Sequence, residues 1–511
     1  MKKYFANTLY EMLAKNAELY PNKTVLIDGK VKLSFKKLKN YTDSIATYLL
    51  DYGIKPKDRV GIFMNNCWEY VAIIFAISKV GGVVVPINTF LKSSELSYIL
   101  KDADINLIFA NDSFRGIING SIAVISCGQV VWIGDNVKGT RFSNLLSLES
   151  KEVEAKVELD DIAVIFYTSG TTGKPKGAML SNRNVLANSD FIKEHLKLNK
   201  KDRVLLFIPI FHSYAFHTGL MTPITNALSV IIIDSLKPLE YIIDETLKKR
   251  ATIFLGVPEI YNAIVHTKLS WKFKTFNRLR LAVSGGSSLK EDIQIKLKNK
   301  FKRAKVIEGY GLTESAAFIS SNPINAPKIG SVGIISDVCE LKIVDNNGKR
   351  VKNNEIGEIV VRGDNVIKSY LSGDSENIKD GWLYTEDLGY LDDDNYLFLV
   401  DRKNDIIISK GFNIYPKEIE DVLDRFPGIK KSAVIGIEDK INGEIPVAFL
   451  EVEEMQIDES KLKKYANGFL AGYKVPKKYV IVDSLPRTST DKVVKVKLKD
   501  LYLREILEDK K

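Results

Sequence analysis

Apolar residues in this chain fall into short runs separated by amphipathic stretches. From about residue 20 to 330, β-branched runs recur: RVGIF (59–63), NLIFA (106–110), IAVIFYT (162–168), SVIIID (229–234), ATIFLGV (251–257) and RLRLAVSGG (278–286). Helical patterns such as Lys36–Tyr52 and Ser94–Asp102 lie between or beside them. Strands alternating with helices predict parallel sheets covered on both faces. The most apolar segment, YVAIIFAISKVGGVVVPI (70–87), is broken by Lys79, two glycines and Pro86. It is short for a membrane span and reads as a buried helix followed by a strand. The first twenty residues are charged at the front but lack a continuous apolar core. They read as an amphipathic helix, not a signal peptide.

The texture changes near residue 330. CELKIVDNNGKRV (339–351), GEIVVRG (357–363) and GYLDDDNYLFLVDRKNDIII (389–408) are short strands joined by Asn/Asp/Gly turns. They predict a small antiparallel sheet or barrel. Beyond Asp401 the pattern becomes helix PKEIEDVLDRF, strands SAVIGI and PVAFLEVE, helix ESKLKKYANGFL and strand KYVIVDSL. That is a compact α+β domain of roughly 110 residues, with its boundary near DRKND (401–405). No fixed-period repeat is visible.

The 511 residues are too many for one core, so two to four domains or subdomains are expected. A hydrophobic content of 45% and a charged content of 27% are those of a soluble globular protein. The net charge is +10. Read along the chain, this excess is spread out, with no basic block of the kind a nucleic-acid arm carries, and a solvated basic surface is expected. Cys67, Cys127 and Cys339 lie far apart, without CxxC or metal-ligand spacing. A disulfide framework or zinc site is therefore not expected, and a reducing, cytoplasmic location is.

The stretch richest in chemistry is YTSGTTGKPKG (167–177), which follows the apolar run IAVIF. Backbone N–H groups and hydroxyls in a concave turn suit phosphate oxygens, and Lys174 and Lys176 add positive charge. It is not a Walker A loop. Only two residues separate Gly170 from Gly173, and Pro175 follows Lys174. Four further segments accompany it: YGLTESA (310–316), YTEDLGYLDDDNY (384–396) with Asp387, VDRKNDIIISKGFNIYPKEIE (400–420) with Arg402, and LPRTSTDKVVK (485–495) with Lys492.

Five such motifs in this order resemble the adenylate-forming superfamily of acyl- and aryl-CoA synthetases, luciferases and peptide-synthetase adenylation domains, and most of all its fatty-acid–CoA ligases. The resemblance runs from about Leu9 to Leu498. It implies an α/β fold with a large N-terminal domain of two α/β subdomains plus a small β-barrel (1–401), followed by a mobile α+β C-terminal domain (402–511). It also implies ATP, Mg²⁺ and coenzyme A. A carboxylate attacks the α-phosphate of ATP to give acyl-adenylate and pyrophosphate, and a thiol then displaces AMP.

The residue roles follow from the same resemblance. Thr168, Ser169, Gly170, Thr171, Thr172, Gly173, Lys174 and Lys176 hold the β- and γ-phosphates. Glu314, with Thr168, is the expected Mg²⁺ site, and Thr313 lies near the α-phosphate. Tyr310, beside Gly311, stacks on adenine. Gly285 and Gly286 form a close-approach wall. Asp387 and Arg402 contact the ribose hydroxyls. Lys492 bridges the attacking carboxylate and the α-phosphate. Ser409, Lys410 and Gly411 form the loop presented to the thiol carrier after the C-terminal domain swings.

Departures from the family pattern are Asn404 at the hinge position, Asp491 before Lys492, Glu386 where Gly is usual, and Asn395 in place of a turn glycine. In IPIFHSYAFHTG (208–219), His212 stands where amino-acid-activating relatives carry Asp. That argues against an amino-acid substrate. His212, Tyr214 and Phe216 suggest an aromatic acyl wall. A medium- to long-chain fatty acid is expected, with an aryl acid as the alternative. No long insertion of the kind that marks carrier-loading acyl-AMP ligases is visible, which favours coenzyme A. A non-catalytic nucleotide-binding relative would lose Glu314 or Lys492, and both are present. No nucleic-acid partner is expected. Peripheral membrane contact and a homodimer stay open.

Overall fold

The structure of the protein is a computed structural model. It describes residues 4–122, 128–134, 139–153, 155–169, 175–234, 237–373, 375–409, 412–439, 442–453, 457–487 and 493–508. By packing, the chain falls into two compact units, Met1–Leu341 with Val361–Leu383, and Lys342–Val360 with Tyr384–Lys511.

Two large sheets build the first unit. One runs in the order Thr140–Arg141, Gln129–Ile133, Leu107–Asn111, Arg59–Phe63, Val83–Pro86, Ile162–Ser169, Pro175–Ser181. All neighbours are parallel until the last pair, which is antiparallel. The other has a parallel centre: Lys305–Tyr310, Leu281–Ser284, Ile253–Gly256, Arg203–Leu206, Ser229–Ile232, Thr24–Asp28. Short antiparallel strands close both of its ends. The predicted runs are the strands of these sheets. Strands such as Leu281–Ser284 are buried along their whole length, as a sheet covered on both faces requires.

The segment 70–87 divides as expected into helix Trp68–Lys79 and strand Val83–Pro86. Tyr70 through Ser78 are all buried. Twelve residues make a helix of about 18 Å, well short of a bilayer core of about 30 Å. Among the described residues no helix is long and apolar enough to cross a membrane. The N-terminal pattern is helix Leu9–Leu19, capped by Thr8, whose hydroxyl accepts from the Glu11 amide.

A third sheet holds Cys339–Val344, Gly357–Gly363, Trp382–Leu391 and Ile378–Lys379 in that order, with Leu397–Arg402 paired to Trp382–Leu391. The predicted turn at VDNNGKRV closes through the Val344–Arg350 bridge, with Gly348 at φ +77°. The C-terminal α+β pattern is also present. Ile429–Asp439 and Gly443–Val452 form a long antiparallel pair, Lys478–Val482 runs parallel to the latter, and helices Pro416–Leu423 and Glu459–Phe469 cover one face.

The even spread of positive charge read from the sequence is incorrect. Residues 260–305 hold twelve Lys/Arg against two Asp/Glu, a net of +10, which equals the formal charge of the entire chain. The cluster escapes a linear reading because its basic residues alternate with apolar ones along helices Trp271–Phe276 and Glu291–Lys300.

Candidate active site

The phosphate-loop motif straddles a hairpin. Its arms are Ile162–Ser169 and Pro175–Ser181, with Thr168 opposite Lys176 and Ser169 opposite Pro175. The Thr168 hydroxyl donates to the Lys176 carbonyl at 3.5 Å. Gly170, Thr171, Thr172, Gly173 and Lys174 lie outside the described residues. The second arm is held from its far side. The Leu371 amide donates to the Gly177 carbonyl at 2.8 Å, and Ala178 forms an antiparallel bridge with Tyr370.

Tyr370 also reaches Glu314. Its phenol donates to Glu314 Oε1 at 3.0 Å and accepts from Asn377 Nδ2 at 3.1 Å. Because the phenol oxygen accepts from the amide, its single proton is directed at the carboxylate. One tyrosine thus ties the strand leaving the phosphate loop to the acid expected to hold Mg²⁺. The backbone beneath Glu314 is equally fixed. Ile367 donates to the Glu314 carbonyl at 2.9 Å. Asn188, on helix Asn182–His195, donates to the Ser315 and Ala316 carbonyls at 3.3 Å. Asn365 donates to the Phe318 carbonyl at 2.7 Å.

Close packing explains two glycines. A Cβ on Gly311 would sit 2.4 Å from the Ala317 backbone, because Ala316 and Ala317 turn back in the left-handed region at φ +50° and +61°. A Cβ on Gly285 would meet the Tyr214 ring at 3.2 Å. Tyr214 is fixed in place, its phenol donating to the Val283 carbonyl at 3.0 Å. Gly286 takes φ +89°, and the buried Tyr310 ends the strand Lys305–Tyr310. Thr313 and Ser213 hydroxyls lie 3.1 Å apart, which joins the expected α-phosphate residue to the acyl-wall segment.

That segment enters a π-helix, Ala215–Met221, a widened turn found often at functional sites. Of the three wall residues, His212 and Tyr214 are half-buried, while Phe216 is fully enclosed and packs edge-on to Phe166 at 5.2 Å. Burial pushes His212 down to about 4 and His217 to about 3, from 6.5. Neither His212 Nε2 nor either His217 ring nitrogen has a hydrogen-bond partner among the described residues. Both rings are neutral at pH 7. As the pH falls below about 6.5, the unfolded chain takes up protons that the folded chain refuses, so stability falls on the acid side. The melting temperature should drop between pH 7 and pH 5, and His217→Leu should shrink that drop.

The second unit, taken by itself, holds the other expected pair. Asp387 and Arg402 are directly opposed across the hairpin of Trp382–Leu391 and Leu397–Arg402, with Nε to Oδ1 at 3.4 Å. Asn395, in the hairpin turn, has φ +61°, so asparagine does the work of a turn glycine there. Glu386 has φ +61° as well. Its position calls for a left-handed residue, and glutamate adopts that conformation at a cost of order 1 kcal/mol. Its Oε2 accepts from Asn404 Nδ2 at 3.1 Å. The Glu386 amide donates to Glu358 Oε1 at 3.3 Å, and Glu358 Oε2 takes Lys403 at 2.7 Å. Two departures from the family pattern, Glu386 and Asn404, are therefore partners. Asn404→Asp should place two carboxylates together and slow thioester formation several-fold more than adenylation; measuring the two half-reactions separately checks this.

Ser409 pairs with Phe412 between strands Ile407–Ser409 and Phe412–Ile414, and the joining residues Lys410 and Gly411 lie outside the described residues. So do Asp491 and Lys492. Their flank is anchored by the Arg487–Val493 bridge and by Lys495, whose ammonium meets Glu420 at 2.9 Å and Asp405 at 3.7 Å.

Sequence reasoning missed Tyr370, Asn377, Ser213, Asn188, Asn365 and Lys495. Tyr370 follows GEIVVRG (357–363) by seven residues, and its phenol was the available signal. The others act through contacts far apart in sequence.

Can this site hold ATP and Mg²⁺? Among the described residues no three His, Cys, Asp or Glu side chains converge to cage a metal. A hard cation held mainly by phosphate oxygens needs few protein donors, and the Glu314 carboxylate, whose Oε1 accepts from the Tyr370 phenol, is the acid that would serve.

Known proteins point the same way. Residues 13–371 match the AMP-binding enzyme family, and residues 418–492 match its C-terminal domain. The chain is 32% identical to a 2-succinylbenzoate–CoA ligase of Geobacillus sp. (strain WCH70), over 96% of each chain. It is 30% identical to a long-chain-fatty-acid–CoA ligase of Bacillus subtilis (strain 168), over 96% of this chain and 94% of that one. The ATP-bound crystal structure of MatB from Rhodopseudomonas palustris superposes with a TM-score of 0.89 at 30% identity, covering 97% of this chain and 99% of that one. With the motifs, their geometry and these likenesses in agreement, the chain belongs to the AMP-binding enzyme family, as an adenylate-forming acid–thiol ligase.

Proposed function

We propose that this ligase activates an apolar carboxylic acid, a medium- to long-chain fatty acid, and transfers the acyl group to coenzyme A. The observation that carries this reading is His212. Held near a pKa of 4 by burial, it offers the acyl wall a neutral ring where an ammonium-bearing substrate would need a carboxylate. The adjoining surface is aromatic: Phe211 lies 4.7 Å from His212 and 6.2 Å from Phe90. Long-chain-fatty-acid–CoA ligases are among the relatives. An aryl acid is the second reading, favoured by the Tyr214 ring set flat against Gly285 and by relatives acting on ferulate and succinylbenzoate.

In this reading the acid's carboxylate attacks the α-phosphorus and pyrophosphate leaves; the coenzyme A thiolate then attacks the acyl carbonyl and AMP leaves. Thr168 to Lys176 grip the β- and γ-phosphates, and Thr313, oriented by Ser213, faces the α-phosphate. Tyr310 stacks on adenine, while Asp387 accepts from the ribose hydroxyls beside Arg402. Glu314 and Thr168 would hold Mg²⁺, which supplies charge neutralisation across the phosphate oxygens. Lys492 offsets charge at the reacting centre, on a segment, 402–511, that swings to present Ser409–Gly411 to the thiol.

A panel of fatty and aryl acids scored by kcat/KM, with ATP and coenzyme A fixed, tests the acid. Highest kcat/KM for aryl acids would replace the first reading by the second. His212→Ala should reorder that panel while leaving the KM for ATP within about twofold; an unchanged order would return His212 to packing.

A further inference from the structure

Helix Trp271–Phe276 is short and carries three aromatic rings with different fates. Phe273 is buried and packs on Phe301 at 6.2 Å. Trp271 and Phe276 are 66% and 61% exposed, with ring centroids 6.1 Å apart in an edge arrangement. One ring anchors the helix and two project into solvent. Single exposed apolar residues are ordinary; two adjacent large rings are not.

The helix is rigidly mounted. Ser270 caps it, its hydroxyl accepting from the Phe273 amide at 3.1 Å. Arg303 clamps its end by donating to the Thr275 carbonyl at 3.0 Å and the Asn277 carbonyl at 3.5 Å. Lys300 donates to the Val265 carbonyl at 2.6 Å and to Thr267. Its ammonium is held below its ordinary value by burial and then by the charge of Lys274, which places both cations in one neighbourhood. Lys268, Lys272, Lys274, Arg278 and Lys302 are exposed around the rings. No acidic residue occurs between Glu259 and Glu291. The stretch that exposes this aromatic pair thus carries a formal net charge equal to that of the whole chain, one of its cations, Arg280, being paired with Asp202.

We infer that this surface docks the protein on an anionic lipid bilayer. Tryptophan and phenylalanine seat at headgroup depth, and lysine stems lie along the acyl boundary while their ammoniums reach lipid phosphates. The charge supplies attraction within a Debye length, about 10 Å at ordinary salt, and the rings supply the apolar contact that charge alone lacks. A single-stranded nucleic acid is the less suited partner. It stacks on open ring faces set along a groove, and here the rings close on each other edge to face. This inference goes beyond the assignment of the acid and stands without it.

Vesicle flotation tests it. Full-length protein should float with phosphatidylcholine vesicles containing about one third phosphatidylglycerol. It should stay behind with phosphatidylcholine alone and should be released by about 0.5 M sodium chloride. Trp271→Ser with Phe276→Ser, and separately Lys272→Glu with Lys274→Glu, should each weaken flotation about tenfold. Melting temperature and turnover of a water-soluble acid should not change in either variant. Failure of the wild-type protein to float, flotation of either variant equal to that of the wild type, or binding to single-stranded RNA in place of vesicles would overturn the inference.

Discussion

Replacing Lys492 with alanine should slow acyl-adenylate formation by about 10²-fold or more while leaving thioester formation from supplied acyl-adenylate nearly intact. The magnitude is that of losing one positioned electrostatic donor where charge develops. The asymmetry follows from the two half-reactions. Only the first brings a carboxylate and a phosphate together, two anions that repel until a cation lies between them. ATP–pyrophosphate exchange reads the first half; rapid mixing of synthetic acyl-adenylate with coenzyme A reads the second. Equal losses in both would sink the swinging-segment assignment. Lys495, three residues on, is tied to Glu420 and Asp405, and Val493 is bridged to Arg487. The segment following Lys492 is thus held at fixed points.

The second large effect is expected at Glu314. Glu314→Gln keeps an oxygen for the Tyr370 phenol, so the local geometry survives while the charge is lost. Adenylation should fall by roughly 10² to 10³, and the Mg²⁺ concentration for half-maximal rate should rise. Tyr370→Phe should move the same Mg²⁺ dependence in the same direction by only a few-fold, since it loosens the carboxylate without removing it. Mn²⁺ titration with a non-hydrolysable ATP analogue reads cation affinity independently of turnover. An unshifted affinity in Glu314→Gln would remove this residue from the metal site, whereas an unshifted affinity in Tyr370→Phe alone would reduce Tyr370 to packing.

Much of the fold was legible because parallel sheets announce themselves. Runs such as SVIIID and ATIFLGV are apolar on both faces, and only a covered strand tolerates that. The hairpin formed by Pro175–Ser181 was not legible in advance, because its alternation is interrupted by the glycine-rich loop that precedes it. Asp387 and Arg402 were legible as motif members. That they face each other is a matter of strand register, which no single motif encodes. The wiring around Glu314 lay furthest out of reach. Asn188 approaches it from 127 residues upstream, and Asn365 and Tyr370 from 50 and 56 residues downstream, and an asparagine in a helix carries no mark of what it will bind. The concentrated charge at 260–305 was readable in principle. Alternation with apolar residues disguised it in a reading made along the chain.

The bridge between Ala178 and Tyr370 bears on how this enzyme can be altered. A strand pinned on one edge by Ile162–Ser169 and on the other by Tyr370 and Leu371 cannot slide to absorb a length change. A slip of one residue would turn every side chain to the opposite face. A change of length between Ser169 and Pro175 therefore has no strand slip to absorb it. A one-residue insertion or deletion there should lower the melting temperature more than a substitution does, because both edges of Pro175–Ser181 are held in register.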